Sequence, residues 1–267
     1  MFFSLHMLAK IRIMARLVIG DVILIFAVRL VLLAIFILFS AVFGLLLCLV
    51  MPFNRNHVHR FASWYGNMHK VLGAKIDLKG LDKLDKQKSY VFVSNHQNNY
   101  DLFTVTNAVP ENTVSIGKKS IRFIPFFGQL YWLSGNILID RNNKSKAKGT
   151  IDKAASKIKN DNISVWLFPE GTRSYGRGLL PFKTGAFHTA LQADVEVVPV
   201  CMSTTTGRIK LNRWANPTVY IELLDPIRLD KDVSAREHAK QIHAMMQSKI
   251  EQLDAKVESD CGKLARN

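Results

Sequence analysis

A histidine and an aspartate five positions apart have the chemistry of a general base with its orienting partner. They are His96 and Asp101, in the run Asn-His-Gln-Asn-Asn-Tyr-Asp that directly follows the apolar residues 90–94. A carboxylate that accepts from Nδ1–H of an imidazole fixes the tautomer and leaves Nε2 to take a proton. The motif holds no Ser or Cys nucleophile, so the activated hydroxyl would come from a substrate. The alternative is structural, with His96 in a turn and Asp101 capping a helix.

A second polar run, residues 168–174, has the chemistry of a phosphate site. It reads Phe-Pro-Glu-Gly-Thr-Arg-Ser and follows an apolar run. Pro169 would end a strand, and Gly171 would let the backbone approach a ligand closely. Arg173 offers a planar fork that suits two phosphate oxygens. Glu170 would repel a phosphate, so we expect it to orient Arg173 or another cation, or to bind a glycerol hydroxyl. An ordinary turn with a surface ion pair is the alternative.

The elements that position these runs are read from the hydrophobic periodicity. Strands are expected near residues 75–78, 90–94, 113–116, 137–139, 164–168, 195–201 and 219–223. Helices are expected near residues 100–109, 126–133, 145–159, 185–193 and 235–256. This alternation predicts an α/β fold with a mixed, partly parallel sheet covered by helices on both faces. In such sheets, sites gather beyond the carboxyl ends of strands, which is where both polar runs lie.

The N-terminal part of the chain differs in composition from the rest. Residues 30–51 form a run of 22 residues without a charge, long enough to cross a hydrocarbon core of about 30 Å as a helix. Two arrangements fit equally well: a hairpin or re-entrant pair that turns near Arg29, and one tilted span preceded by an interfacial helix. We therefore predict an N-terminal membrane-embedded helical segment at residues 1–53 and an α/β catalytic domain at residues 54–267.

The charge distribution points to a polyanionic partner. The formal net charge is +15, and between residues 118 and 183 thirteen Lys and Arg stand against four Asp and Glu. An anionic lipid surface and a nucleic acid both fit this excess, and a solvated basic face is the third interpretation. Three cysteines, at positions 48, 201 and 261, have no disulfide or metal-ligand spacing, and His-Glu-x-x-His is missing from the sequence. We therefore expect neither disulfides nor a zinc site.

Taken in order along the chain, the polar runs and two further segments resemble the signature blocks of the lysophosphatidate (1-acylglycerol-3-phosphate) acyltransferase family, especially its bacterial members. The His96 run is similar to the first block and residues 168–174 to the third. Residues 135–141 (Gly-Asn-Ile-Leu-Ile-Asp-Arg) resemble the second, and residues 198–200 (Val-Pro-Val) the fourth. Residues 118–128 are similar to a Lys-x-Glu-Leu and Pro-Phe-Phe-Gly segment of the family, with Ser where Glu is usual. The resemblance extends over about residues 55–250.

The resemblance implies a reaction and a set of site residues. An acyl group would pass from acyl-CoA or acyl-carrier-protein to the 2-hydroxyl of 1-acylglycerol 3-phosphate, giving phosphatidic acid for phospholipid synthesis. By matching position, His96 is the base, Asp101 its partner, and Lys118 a contact for phosphate or for the oxyanion. The implied acceptor-binding residues are Arg141, Glu170, Gly171, Thr172 and Arg173. The two thioesters are co-substrates, and neither a cofactor nor a metal ion is expected.

The implied partners are membrane phospholipid and lysophosphatidate, without nucleic acid. The implied location is the cytoplasmic (inner) membrane, with the catalytic domain facing the cytoplasm. The oligomeric state, the acyl-chain preference and the choice between the two donors stay open. Two alternatives are kept: an acyltransferase for glycerol 3-phosphate or another lysophospholipid, and a non-enzymatic, membrane-anchored protein that binds polyanions. The second predicts that His96→Ala leaves function intact.

Overall fold

The computed structural model describes residues 2–140 and 144–264, without the side chains of residues 2–19, 144, 147, 263 and 264. Within these ranges one sheet of seven strands forms the centre of the fold. The strands are β1 (Ile76–Lys79), β2 (Tyr90–Ser94), β3 (Thr113–Lys118), β4 (Ile137–Ile139), β5 (Ser164–Leu167), β6 (Glu196–Met202) and β7 (Val219–Leu223). Each coincides within two residues with a strand predicted from the apolar, β-branched runs.

Most of the predicted helices are confirmed. The α-helices are α1 (Phe2–Val50), α2 (His57–Asn67), α3 (Phe127–Leu133), α4 (Lys144–Asp161), α5 (Gly185–Ala193) and α6 (Ala235–Leu264). The helix predicted at residues 100–109 is present as two short 3-10 helices, Asn99–Phe103 and Val105–Ala108, instead of one continuous helix. Thr104 separates them with φ −121° and ψ −75°, and its buried hydroxyl contacts Met202 Sδ at 3.2 Å. Tertiary packing therefore overrides the local helical pattern here.

The sheet is mixed, as predicted. The strand order is β1-β7-β6-β2-β5-β3-β4. β2 pairs in parallel with β5 and β6, and β3 pairs in parallel with β4 and β5. β7 runs antiparallel to β6, and β1 runs parallel to β7. Five neighbouring strands, β6, β2, β5, β3 and β4, thus end along one side of the sheet, which we call the carboxyl edge.

Helices cover both faces of the sheet. Alternate residues of β2 point to opposite faces, as the period of two in a strand requires. Val91 and Val93 pack with residues of α4, α5 and α6, whereas Phe92 lies in a second core with Leu33 of α1 and Tyr65 of α2. The N-terminal helix is therefore part of the packing of the catalytic half.

One side of α1 lies against the rest of the protein. Ser40 is buried and its hydroxyl donates to Tyr65 Oη at 3.0 Å. Arg29 is also buried, and its guanidinium donates to three backbone carbonyl oxygens, those of Leu211, Arg213 and Trp214. Because α1 continues as a helix through Arg29, the hairpin alternative with a turn at this residue is wrong.

The other side of α1 is apolar and exposed. Residues 20–50 are long and apolar enough to cross a membrane by length and composition. The exposed side chains of α1 include Ile23, Leu24, Ile35, Leu38, Phe39, Leu46 and Leu49. This helix is consistent with association with a membrane. The division into a segment at 1–53 and a domain at 54–267 stays a prediction from composition.

Candidate active site

His96 and Asp101 are in direct contact at the carboxyl edge. Nδ1 of His96 lies 2.6 Å from Oδ2 of Asp101. An ionised carboxylate can only accept, so Nδ1 of the neutral ring carries the proton and Nε2 is an acceptor. The Asp101 side chain is only 4% exposed, whereas that of His96 is 20% exposed. The pair therefore combines a buried carboxylate with a ring that a ligand can reach.

The same carboxylate oxygen organises the backbone of the motif. Oδ2 of Asp101 also accepts the backbone N–H groups of Gln97 at 2.7 Å and Asn98 at 3.3 Å. Together with the side chain of Asn98, it forms a capping box on the first 3-10 turn after β2. The two interpretations of Asp101 weighed from the sequence are thus compatible, since this residue caps the turn and holds the His96 ring.

Two buried amides on either side of His96 fasten the motif to the end of β6. The Asn95 side chain makes two hydrogen bonds of 2.9 Å with the backbone of Met202. Oε1 of Gln97 accepts the backbone N–H of Thr205 at 2.7 Å. No role was predicted for these two residues from the sequence. The signal for their role is the position of amide side chains directly after a fully buried strand.

Phe168 covers one face of the histidine ring. The two rings are stacked, with centroids 4.0 Å apart and an interplanar angle of 16°. This contact follows from the pairing of β2 with β5, in which Val93 lies opposite Leu167, so the residues just beyond both strands meet. This contact could not be predicted from the sequence, because it depends on which strands are neighbours.

Glu170 joins the two polar runs through backbone groups. Its Oε1 accepts the N–H of His96 at 2.6 Å, and its Oε2 accepts the N–H of Leu180 at 2.9 Å. Burial raises the pKa of the Glu170 carboxyl, and the hydrogen bonds from these two N–H groups partly offset the increase. Glu170 therefore joins the two loops through their backbone N–H groups, a role that was not among those expected from the sequence. Because Glu170 is buried and both of its carboxylate oxygens accept backbone N–H groups, the carboxylate does not point towards a ligand phosphate.

Arg173 lies beside the histidine because the loops are also joined by backbone. The N–H of Ser174 donates to the carbonyl oxygen of His96 at 2.8 Å. Nη1 of Arg173 donates to Tyr175 Oη at 3.2 Å. In the described part of the chain, Nε of Arg173 is buried and has no hydrogen-bond partner. A guanidinium on the loop that is joined to His96 is suited to an anionic ligand.

Gly171 leaves room for a lysine side chain to pass close to the backbone of the loop. Its φ of +70° favours glycine, and a Cβ at this position would lie 2.7 Å from Nζ of Lys183. Thr172, the next residue, is exposed. Lys183 thus brings a second cation to the loop. In the sequence, Lys183 is only one of the thirteen Lys and Arg residues between positions 118 and 183. No local pattern links it to Gly171.

The remaining predicted residues lie further along the carboxyl edge or outside the described ranges. Lys118 is exposed at the end of β3, two strands from β2, which corresponds to about 10 Å. Lys119, the next residue, forms an ion pair of 3.6 Å with Asp140. Arg141 lies outside the described residues. The structure therefore assembles His96 with Asp101 and the loop 168–174, and places Lys118 on the same edge.

The fourth block lies within the sheet. Pro199 lies in β6 opposite Val93 of β2. On its other side, β6 makes antiparallel contacts with a later part of the chain at two points, and Pro199 lies between them. These antiparallel contacts are Val197 with Ile227 and Val200 with Leu223. The missing N–H of proline falls in the interval between them, which explains how a central strand accepts it. This block supports the site from within the core.

Known proteins are similar to this chain in sequence. Residues 75–203 match the family model described as Acyltransferase. The chain is 47% identical to the 1-acyl-sn-glycerol-3-phosphate acyltransferase of Escherichia coli (strain K12), over 86% of this chain and 94% of that protein. It is 44% identical to the protein of the same name from Haemophilus influenzae, over 76% of this chain and 86% of that one.

A solved structure has the same fold. The crystal structure of the 1-acyl-sn-glycerophosphate (LPA) acyltransferase from Thermotoga maritima matches with a TM-score of 0.68 and 22% identity, over 87% of this chain and 96% of that one. The match to the family model, at residues 75–203, includes both motif loops. The chain belongs to the 1-acyl-sn-glycerol-3-phosphate acyltransferase family.

Proposed function

We propose that this protein transfers a fatty acyl group from an acyl thioester to the sn-2 hydroxyl of 1-acylglycerol 3-phosphate, giving phosphatidic acid. The observation that carries the proposal is the contact of Nδ1 of His96 with buried Asp101, in a ring that remains 20% exposed and is therefore within reach of a substrate. Family membership supplies the substrate class, since the similar proteins are named for this reaction.

His96 acts as the general base in this mechanism. Nε2 takes the proton from the acceptor hydroxyl while the hydroxyl oxygen attacks the thioester carbonyl carbon. The tetrahedral oxyanion then collapses, the C–S bond breaks, and the departing sulfur takes the proton from the imidazolium. Asp101 stabilises the imidazolium without taking its proton. General-base assistance of this kind contributes about 10²–10⁴ in rate.

Transfer takes place directly between the two substrates, without a cysteine acyl-enzyme. Burial raises the pKa of the Cys201 thiol to about 12, so this thiol stays protonated at neutral pH. Its side chain also lies in the core with α6, on the other side of β6 from the face that Met202 occupies. A base that activates a substrate hydroxyl needs no protein nucleophile.

Cations around the histidine hold the acceptor phosphate. Arg173 carries a guanidinium on the loop that is joined to His96, and the side chain of Lys183 passes the neighbouring Gly171. Arg141 and Thr172 are assigned to the same region by their position in the family motifs. We assign Lys118 to either the phosphate or the tetrahedral oxyanion. Kinetics of Lys118→Ala separate these roles, since loss of a phosphate contact raises KM for the acceptor and loss of an oxyanion contact lowers kcat.

The acceptor reaches the site from a membrane. The exposed apolar side of α1 contacts lipid, while the opposite side stays packed on Tyr65 and on the loop that holds Arg29. A helix fastened along its length to a globular domain lies along the membrane surface, because a lone crossing would pull the domain into the hydrocarbon. We assign the protein to the cytoplasmic membrane with the catalytic domain in the cytoplasm, where acyl-CoA and acyl-carrier-protein are found.

The test uses detergent-purified full-length protein supplied with lysophosphatidate and acyl-CoA, with release of free thiol as the readout. The same assay with glycerol 3-phosphate as acceptor, and with acyl-carrier-protein as donor, identifies both substrates. We expect thiol release that depends on lysophosphatidate and a mass-spectrometric product with two acyl chains. Thiol release that is equally fast or faster with glycerol 3-phosphate would contradict lysophosphatidate as the acceptor.

A further inference from the structure

The connection between β3 and α3 presents large apolar side chains to solvent. Phe123 is 72% exposed, Ile124 47%, Phe126 52% and, within α3, Trp132 53%. We call these four residues the aromatic patch. Arg122 accompanies it, with its guanidinium 4.8 Å from the centroid of the Phe123 ring. Soluble surfaces carry scattered apolar residues, whereas a contiguous patch bordered by cations indicates a binding surface.

The backbone holds this patch outward. The N–H of Phe127 donates to the carbonyl oxygen of Pro125 at 2.6 Å, which places Phe126 at φ +60° and ψ −49°. This conformation is strained for any residue with a side chain, and glycine would adopt it more easily. Gly128 lets the turn close tightly, since a Cβ there would lie 2.5 Å from the carbonyl oxygen of Arg122. This tight turn therefore holds the ring of Phe126 in an exposed position.

The aromatic patch is continuous with the lipid-facing side of α1. The rings of Phe53 and Trp132 meet edge to face with centroids 5.3 Å apart. The N–H of Phe53 donates to the carbonyl oxygen of Leu133 at 2.8 Å, so the chain just beyond α1 is joined to the end of α3. Val50, at the end of α1, is 80% exposed. The two apolar surfaces therefore adjoin.

We propose that the aromatic patch inserts into the same membrane leaflet that α1 contacts and forms a second membrane anchor. A leaflet with anionic headgroups matches this surface, since aromatic side chains favour the membrane interface and the exposed Arg122 favours anionic headgroups. Lys118 lies directly before this segment at the carboxyl edge, so the anchor brings the leaflet to the side of the site on which a lipid acceptor enters. The inference rests on the proposed function only in taking the acceptor from a membrane.

Membrane contact is tested without reference to catalysis. Phe123→Cys is made in a Cys261→Ser background, because the other two cysteines are buried. The new thiol carries an environment-sensitive fluorophore, and the full-length protein is placed in phosphatidylglycerol-containing vesicles with or without brominated acyl chains. Lys159→Cys is the matched control, since this exposed residue lies near the end of α4, towards the opposite edge of the sheet.

We expect a blue-shifted emission and bromine quenching at position 123 and neither effect at position 159. Quenching at 123 that does not exceed the control would overturn the proposal. So would an emission shift at 123 that follows protein concentration instead of lipid, because this result identifies another protein, or a second copy of this one, as the occupant. An inactive preparation still gives a readable result, so failure of the proposed function is distinguished from failure of this inference.

Catalysis supplies a second measurement. Phe123→Ser together with Phe126→Ser removes two interfacial rings, and we expect acyl transfer to lysophosphatidate in vesicles to fall about tenfold or more. Transfer to a short-chain acceptor dissolved in water should stay within about twofold of wild type, since the site itself is unchanged. Equal losses with both acceptors would contradict the anchor and assign the segment to the folding of the site.

Discussion

The Oε1 atom of Glu170 accepts the backbone N–H of His96 at 2.6 Å, while the His96 ring itself is held by Asp101. The histidine is thus fixed at two points by two carboxylates from different parts of the chain. One sets the ring and its tautomer, and the other sets the position of the backbone that carries the ring. Glu170, in the run of residues 168–174, therefore acts on the proposed base through the main chain.

Glu170→Gln should lower kcat and leave KM for lysophosphatidate nearly unchanged. The glutamine amide offers one acceptor and one donor, so one of the two backbone N–H groups loses its partner. Because a displacement of about 1 Å costs up to about 10²-fold in rate, we expect a loss of about 10- to 100-fold. Steady-state kinetics with the exposed Glu111→Gln as the matched control check this. A rise in acceptor KM alone would show that Glu170 binds the substrate.

The raised pKa of Glu170 predicts that the stability of the protein depends on pH. Burial favours the protonated carboxyl in the folded protein, so the folded state binds this proton more readily than the unfolded chain does. This contribution to stability is present below the unfolded pKa and is lost as pH rises through the folded pKa. The unfolding midpoint of wild type relative to Glu170→Gln should therefore increase as pH falls from 7.5 to about 5. A relative midpoint that decreases over this range would contradict the assignment.

His96→Ala should abolish acyl transfer without unfolding the protein. Loss of the base removes about 10²–10⁴ in rate, so less than about 1% of wild-type thiol release should remain. His188→Ala, a change at an exposed position of α5, is the control and should keep wild-type activity. Residual activity above about a tenth of wild type would exclude His96 as the base. Circular dichroism of both variants verifies the fold.

Asp101→Asn should be nearly as damaging as loss of the histidine. The asparagine oxygen can still accept the three N–H groups that Oδ2 now accepts, because the other carboxylate oxygen has no hydrogen-bond partner among the described residues. The amide is neutral, however, so it cannot stabilise the imidazolium, and we expect kcat to fall about 10²–10⁴-fold with altered pH dependence. Stability should change little, since the amide oxygen keeps the backbone contacts of the cap. A variant with normal kcat and lowered stability would leave Asp101 as a cap only.

Arg173→Ala should weaken acceptor binding. Hydrogen bonds to charged groups contribute about 1.5–3 kcal/mol, so KM for lysophosphatidate should rise about 10- to 100-fold while the donor KM stays constant. Arg173→Lys should recover only part of the loss, because lysine lacks the planar fork. The exposed Arg236→Ala of α6 is the charge-matched control. A raised donor KM with an unchanged acceptor KM would move Arg173 to the thioester site.

Local sequence was sufficient to predict the strands and the chemical character of both motifs. Apolar, β-branched runs specify strands wherever they are buried, and Pro169 and Gly171 indicate a chain that leaves the sheet in an unusual conformation. The spacing of His96 and Asp101 brings them together over a single turn, so their contact depends on few residues. The continuity of α1 through Arg29 was not predictable, because the partners of Arg29 are carbonyl groups about 180 residues away.

Contacts between the motifs depend on the order of the strands. Phe168 and Glu170 reach His96 only because β5 lies next to β2, although more than 70 residues separate the loops. Likewise, the 3-10 turns after Asn98 follow from packing against the end of β6, which no local propensity contains. Periodicity reports which side chains are buried, whereas the sheet order sets which loops meet. The contact of His96 with Asp101 could therefore be predicted from the sequence, whereas the contacts of His96 with Glu170 and Phe168 could be found only in the fold.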